Sequence, residues 1–210
     1  MELVIAAVTG YLLGSIPFGL IASKLRGGVD LRDLGSGKTG FTNSLRVIGL
    51  KRSLPVFLGD FAKGLAAALL PLLYTDDPWA RVAGGLAAVA GHVWPLFAGF
   101  RGGRGVLTGG AVLLALSPLA TLAILPLSAL ILYKWRYMSL MSISAAGLAF
   151  ASFAAFAAAD LHPWAFVAGA GIGGALVIAL HHDNIDRLRA GTERKVGQRV
   201  EAGPAAPQPR

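Results

Sequence analysis

From residue 3 to residue 181 the chain alternates long apolar runs with short polar stretches rich in glycine and basic residues. A helix crossing a bilayer core needs about 20 predominantly apolar residues. The runs at 3–25, 53–74, 79–100, 138–159 and 161–181 meet that length. A further run, 105–133, carries Ser117-Pro118 near its middle and Pro126 beyond. By pattern alone it is either one long kinked helix or two short helices in a hairpin. The prediction is an all-α polytopic membrane protein, with a single membrane-embedded domain over 1–200 and a Pro- and Ala-rich disordered tail over 201–210.

Composition sharpens this picture. Hydrophobic residues make up 55% of the chain, only 14% is charged, and mean hydropathy is +0.63. Soluble domains carry about 25% charged residues. The 28 glycines suit helices that pack closely in lipid. There is no cysteine, which excludes disulfides, thiolate metal sites and a cysteine acyl-enzyme. The first run lacks a basic leader and a small-residue cleavage site, so it reads as a retained span rather than a signal peptide.

Charge decides between kink and hairpin. With the N-terminus outside and a hairpin over 105–133, every lysine and arginine except Lys63 and Arg81 falls on one side. Asp76, Asp77 and Asp160 fall on the other. A single helix there would export Lys134, Arg136 and the basic tail. Because cationic loops stay in the cytoplasm, seven transmembrane helices are expected, the fourth and fifth a short hairpin, with N-terminus out and C-terminus in. The net charge of +8 and pI near 10.3 would also suit nucleic acid. However, the cations flank apolar spans, so topology and anionic lipid headgroups account for them, and no nucleic-acid partner is expected.

This topology pools four polar stretches, 35–46, 99–105, 139–144 and 181–195, on the cytoplasmic face. The first, "GSGKTGFTNSLR", resembles the end of a nucleotide P-loop. That motif needs a glycine five residues before Gly37, and Arg32 stands there. What survives is the physics of glycine-rich backbone donors beside Thr42, Asn43 and Arg46, a set suited to an oxyanion. The bland alternative is a connecting loop with topology-setting cations. The second, "GFRGGRGVLTG", places Gly102, Gly103 and Arg104 before an apolar helix, whose N-terminus favours anions; a tight turn is the alternative. In the third, "HHDNIDRLRAGTERKVG", His181 and Asn184 share one side of a helix, although an interfacial histidine would fit as well. Asp60 and Lys63, three apart inside a span, read as a structural ion pair. His92 fits either a packing hydrogen bond or a site wall. Ser139 and Ser142 share a face at the start of a span, as helix glue or substrate contacts. No group of histidines and carboxylates has metal-ligand spacing.

Six segments in order, "GSIPFG" (14–19), "GSGKTGFTNSLR" (35–46), "DFAKG" (60–64), "GHVWP" (91–95), "FRGGRGV" (100–106) and "HHDNIDRLRAGTERKVG" (181–197), resemble the acyl-phosphate-dependent glycerol-3-phosphate acyltransferase family, PlsY. The resemblance implies a seven-helix enzyme of the bacterial inner membrane with its site facing the cytoplasm. The implied reaction moves a fatty acyl group from acyl phosphate to sn-glycerol 3-phosphate, giving lysophosphatidate and phosphate, with no metal or other cofactor. Implied partners are membrane lipid, the two substrates and the upstream acyl-phosphate synthase. Carried over by motif, the catalytic candidates are His181, Asn184 and Ser142. The phosphate- and substrate-binding candidates are Gly35, Ser36, Gly37, Thr42, Asn43, Arg46, Gly102, Gly103, Arg104 and Lys195. Two departures stand out: Lys38 replaces the family's Asn, and Arg104 its Lys. The competing class is a small organophosphate carrier, which would usually show paired repeats; none is evident here.

Overall fold

A computed structural model describes residues 1–198, and the expected tail over 201–210 lies outside them. The described residues contain helices and no strand. In order these are α1 (Glu2–Gly14), α2 (Phe18–Gly27), α3 (Phe41–Ile48), α4 (Leu50–Leu69), α5 (Pro78–Val93), α6 (Val106–Leu116), α7 (Pro118–Trp135), α8 (Met138–Ala158), α9 (Trp164–Ala179) and α10 (His182–Arg189). Short 3₁₀ turns occupy Leu31–Asp33, Leu70–Leu73 and Leu96–Ala98. Four helical stretches are long and apolar enough to cross a membrane: Glu2–Leu25, Leu50–Leu73, Pro118–Trp135 and Met138–Ala158. The α9–α10 pair also qualifies if taken as one span, bent by 58°.

Prolines set where the predicted runs break. The run 3–25 splits at Ser15–Pro17, with Pro17 preceding α2. The run 79–100 stops being helical at Val93, because Trp94 precedes Pro95 and leaves the α region (φ −121°, ψ 69°). Ser117 is extended (φ −147°, ψ 95°) ahead of Pro118, so 105–133 divides into α6 and α7. This is the break a hairpin requires. Pro126 stays inside α7.

Small residues bring the helices into contact. The most extensive pairing is α1 with α5. A Cβ on Gly10 would overlap the Gly84 carbonyl, one on Gly14 the Ala88 carbonyl, and one on Gly91 the Tyr11 carbonyl. The two helices therefore meet backbone to backbone, as small-residue seams allow in lipid. Likewise, α4 meets α6 where Gly64 faces the Thr108 carbonyl, and Thr108 Oγ1 donates to the Asp60 carbonyl at 3.1 Å. Phe153 sits fully buried in a core with Ala68, Val82, Val112, Ala120 and Phe166. The outer surface exposes Leu119, Leu122, Leu125, Leu130, Phe150 and Ile172. An apolar exterior of this kind fits lipid rather than water.

Charges inside the bundle are partnered. Lys63 Nζ lies 2.9 Å from Asp60 Oδ1, the pairing expected from their spacing. It also donates at 3.0 Å to the Ile16 carbonyl in the α1–α2 break. Arg81 donates to the carbonyls of Ala68 and Ala115, at the ends of α4 and α6. Those ends have carbonyls without intrahelical partners.

Candidate functional site

The loop 35–46 is organised around Asn43 rather than around a void. From the first turn of α3, Asn43 Nδ2 donates to the carbonyls of Leu31 (3.1 Å), Leu34 (3.0 Å) and Lys38 (2.8 Å). Its Oδ1 accepts from Ser36 N at 3.0 Å. Gly35 and Gly37 adopt left-handed φ of 65° and 67°, and a Cβ on Gly35 would overlap Asn43 Oδ1. The glycines thus let the chain wrap this amide. Upstream, Asp30 accepts from Arg32 N (2.9 Å) and from its guanidinium, which also reaches the Ala98 carbonyl at 3.2 Å. The Arg32 hydrogen bond outweighs burial and holds the Asp30 pKa down at about 2.

The second glycine-rich stretch is equally committed. Gly102 N donates to the Val93 carbonyl and Gly103 N to the His92 carbonyl, both at 3.1 Å. A Cβ on Gly102 would overlap the His92 carbonyl, and one on Gly103 would overlap His92 Nε2. The expectation that Gly102 and Gly103 cradle an anion is corrected here: their amides are spent clamping the loop onto the end of α5. The same holds for the amides of Ser36 and Gly37, the latter donating to the Leu34 carbonyl at 3.1 Å.

The anion donors lie one step further along. A polar cavity of about 310 Å³ is lined by Gly40–Asn43 at the start of α3, Gly105–Leu107 at the start of α6, Met138 and Ser139 of α8, and His181 and Asn184 at the start of α10. Four helix N-termini therefore converge on one space, and none carries a side-chain cap. Their free N–H groups and dipoles favour negative charge. Of the residues singled out by sequence, Ser36, Thr42, Asn43, Arg46, Arg104, Ser142, His181 and Asn184 line this cavity, whereas Gly35, Gly37, Gly102, Gly103 and Lys195 do not. Lys195 is exposed, with Nζ 5.7 Å from the Tyr137 ring centre.

Arg46 has neither a hydrogen bond nor an ion pair among the described residues. Its burial lowers the guanidinium pKa; Glu193 opposes this, while Arg194, Arg104 and Arg187 add to it. Arg104 and Arg187 have internal anions in Asp183 and Glu193, whereas Arg46 has none within pairing distance among the described residues, and a half-buried cation of that kind marks a candidate anion site. Lys38 also lines the cavity, so the departure from the family pattern adds a charge there. Arg104 is partly committed, with Nε to the Leu180 carbonyl at 3.1 Å and Nη2 to both Asp183 oxygens at 2.9 and 2.7 Å.

His181 Nδ1 lies 2.7 Å from the Val177 carbonyl. A carbonyl can only accept, so Nδ1 carries the proton and Nε2 keeps a lone pair. Ser142 Oγ donates to the Met138 carbonyl at 2.8 Å. Asn184 Nδ2 donates to Glu193 Oε1 at 2.8 Å, leaving Asn184 Oδ1 buried and without a partner. Glu193 is the residue that sequence reasoning passed over as a mere neighbour. Its carboxylate gathers Ser139 Oγ (2.8 Å), Asn184 and Arg187 Nε (2.7 Å). Burial alone would raise its pKa, but hydrogen bonds from Arg187, Asn184 and Ser139 prevail and lower it. The available signal was an acid flanked by cations, nine residues beyond Asn184.

A second chamber of about 350 Å³ adjoins the first, sharing Val106, Leu107, Met141 and Ser142. Its walls come from α4 to α9 and are almost wholly apolar. The described residues hold no cluster of three His, Asp or Glu able to take a metal.

Comparison with known proteins identifies the family. The family model for glycerol-3-phosphate acyltransferase matches residues 4–191. A glycerol-3-phosphate acyltransferase of Parasynechococcus marenigrum (strain WH8102) is 41% identical over 192 residues, 91% of this chain and 88% of its own. One from Streptococcus equi subsp. zooepidemicus (strain MGCS10565) is 38% identical over 200 residues, covering 93% of each chain. The crystal structure of PlsY (YgiH), an integral membrane glycerol 3-phosphate acyltransferase, in its glycerol 3-phosphate form gives a TM-score of 0.84. It is 40% identical and covers 94% of this chain and 96% of that one. The lysophosphatidic acid form gives 0.82 at 39% identity. The chain is a multi-pass membrane protein and belongs to the glycerol-3-phosphate acyltransferase family.

Proposed function

We propose that the acyl donor is acyl phosphate, and that the products are 1-acylglycerol 3-phosphate and inorganic phosphate. One observation carries this reading: a cationic cavity fed by four helix N-termini adjoins an apolar chamber, the two sharing Val106, Leu107, Met141 and Ser142. Acyl phosphate has that same division, a phosphate head on a hydrocarbon tail. The head and the glycerol phosphate occupy the polar cavity, and the tail lies in the chamber. Arg46, Arg104, Lys38 and the first amides of α3 meet phosphate charge, while Ser36, Thr42 and Ser142 offer hydroxyls.

Acyl phosphate is a mixed anhydride, so phosphate leaves readily and no acyl-enzyme is needed. The glycerol 1-hydroxyl oxygen bonds to the carbonyl carbon. The bond between that carbon and the bridging phosphate oxygen breaks, and its electron pair departs with phosphate. The hydroxyl proton passes to His181 Nε2 and then to the released phosphate. Asn184, with its free Oδ1, orients the hydroxyl. Catalysis is mainly positioning and electrostatic stabilisation.

The domain over 1–200, the seven spans with N-terminus out and C-terminus in, and a cytoplasm-facing site in the bacterial inner membrane complete the proposal. Supply of acyl phosphate by an upstream synthase follows from the same chemistry. Phosphate release from purified protein given acyl phosphate and glycerol 3-phosphate tests the donor, and absence of release would refute it. His181→Ala should lower kcat by at least about 10²-fold, the low end of what a general base contributes. A smaller loss would assign the proton to the substrate phosphate instead.

A further inference from the structure

His92 is a second imidazole on the polar cavity, and the scheme above gives it no task. It is 6% exposed, near the end of α5. Its Nδ1 lies 3.4 Å from Asp60 Oδ1, the oxygen that also pairs with Lys63. Facing a carboxylate, Nδ1 carries a proton, and that fixes the ring's orientation. The opposite nitrogen, Nε2, points between the two glycine-rich stretches. It takes the space a side chain on Gly103 would fill, and a Cβ on Gly40 would lie 3.8 Å from it. Nε2 has no hydrogen-bond partner among the described residues, and His92 lines the polar cavity. Gly40, Thr42, Arg104 and Gly105 share that wall.

Packing alone does not account for this arrangement. A ring used only as filler would not need its inner nitrogen held by a buried carboxylate while its outer nitrogen faces an anion cavity. The sequence agrees, since glycine at 103 and at 40 keeps the approach to Nε2 clear.

We infer that His92 is a phosphate-contacting residue: with both ring nitrogens protonated, Nε2–H donates a hydrogen bond to a phosphate oxygen in the polar cavity, and the Asp60 carboxylate, facing Nδ1, positions the ring for it. This rests on the reading of that cavity as the phosphate site and adds a residue to it from α5. Asn and Gln substitutions separate the two nitrogens, because an Asn amide reaches the place of Nδ1 and a Gln amide that of Nε2. Steady-state kinetics with acyl phosphate and glycerol 3-phosphate, inhibition by inorganic phosphate, and thermal melting in detergent are compared for wild type, His92→Asn and His92→Gln.

His92→Asn should melt like wild type but raise KM for one phosphate substrate, and the inhibition constant of phosphate, by about tenfold, the worth of one hydrogen bond to a charged group. His92→Gln should recover most of that loss. Equal values for Asn, Gln and wild type would overturn the inference. So would equal losses in both variants accompanied by a lower melting temperature, which would make His92 a packing residue. Wild type that neither turns over nor is inhibited by phosphate would sink the cavity reading, and this inference with it.

Discussion

Arg81 and Arg46 are both half-buried, yet one is surrounded by protein acceptors and the other has none among the described residues. Arg81 sits where α4 and α6 end, donates to their open carbonyls, and lies 5.1 Å from the Phe166 ring centre. Arg46, in the last turn of α3, lines the cavity on which the N-termini of α3, α6, α8 and α10 converge. At Arg81 the orphan carbonyls are met by an arginine of the fold; around the cavity of Arg46 the orphan groups are N–H donors, and the neighbouring cations add to their charge. Helix ends therefore come in two kinds here. One kind is closed by the chain itself, and the other is left for an anion from outside.

Replacing each arginine breaks a different half of this comparison. Arg46→Ala should cost the largest effect, about 10²–10³-fold in kcat/KM, the scale for one donor aimed at developing charge. Its melting temperature should stay near that of wild type, since no internal hydrogen bond or ion pair is lost. Arg46→Lys restores the charge but not the planar fork and should recover only part of the activity. Arg81→Ala should do the reverse. Stripping buried carbonyls of a charged donor costs about 2 kcal/mol, visible as easier unfolding in detergent, with kcat/KM of the folded protein unchanged. Activity loss without destabilisation in Arg81→Ala would erase the distinction.

How far this division could be read from sequence depends on the range of the interactions involved. Hydropathy and prolines located the helices well, because Pro17, Pro95 and Pro118 act on their immediate neighbours. The Asp60–Lys63 pair was equally legible, being one helical turn long. The glycine-rich stretches were located correctly but given the wrong task in part. That Gly102 and Gly103 spend their amides on Val93 and His92, or that Asn43 occupies the middle of its own loop, follows from contacts that local pattern does not encode. Glu193 was overlooked for the same reason: its partners Ser139 and Arg187 lie 54 and 6 residues away, and only folding brings them to one carboxylate.

Glu193 offers the next, smaller effect, and its sign is fixed by the direction of its pKa. Because the folded carboxyl is depressed, its contribution is complete above the ordinary glutamate value of about 4.3 and is lost as pH falls below that, through the folded pKa. Wild type should therefore melt higher than Glu193→Gln at about pH 6, and the gap should close toward about pH 3. At neutral pH the variant should lose about tenfold in kcat, since Asn184 and Arg187 lose the charge that aligns them. A gap that widened in acid would mean that Glu193 is not held ionised by these donors.

The smallest effect tests the apolar half. Gly110 lines the chamber, and a Cβ there meets nothing within 4 Å. Gly110→Leu would place an isobutyl group in that space while relieving about 1 kcal/mol of glycine's helix penalty, so the variant should fold. If the chamber holds the acyl tail, long-chain acyl phosphates should lose a few-fold in kcat/KM relative to short ones, within the 10–200-fold that a methylene-scale clash can produce at most. The KM for glycerol 3-phosphate should not move, because that substrate has no tail to displace. Gly147→Leu is the control. Gly147 is also helical with nothing within 4 Å of its Cβ, but it lines neither cavity. Equal shifts in both variants would point to lipid packing rather than the chamber. A shift confined to Gly110→Leu, and graded with chain length, would tie the tail to this space and leave the phosphate end untouched.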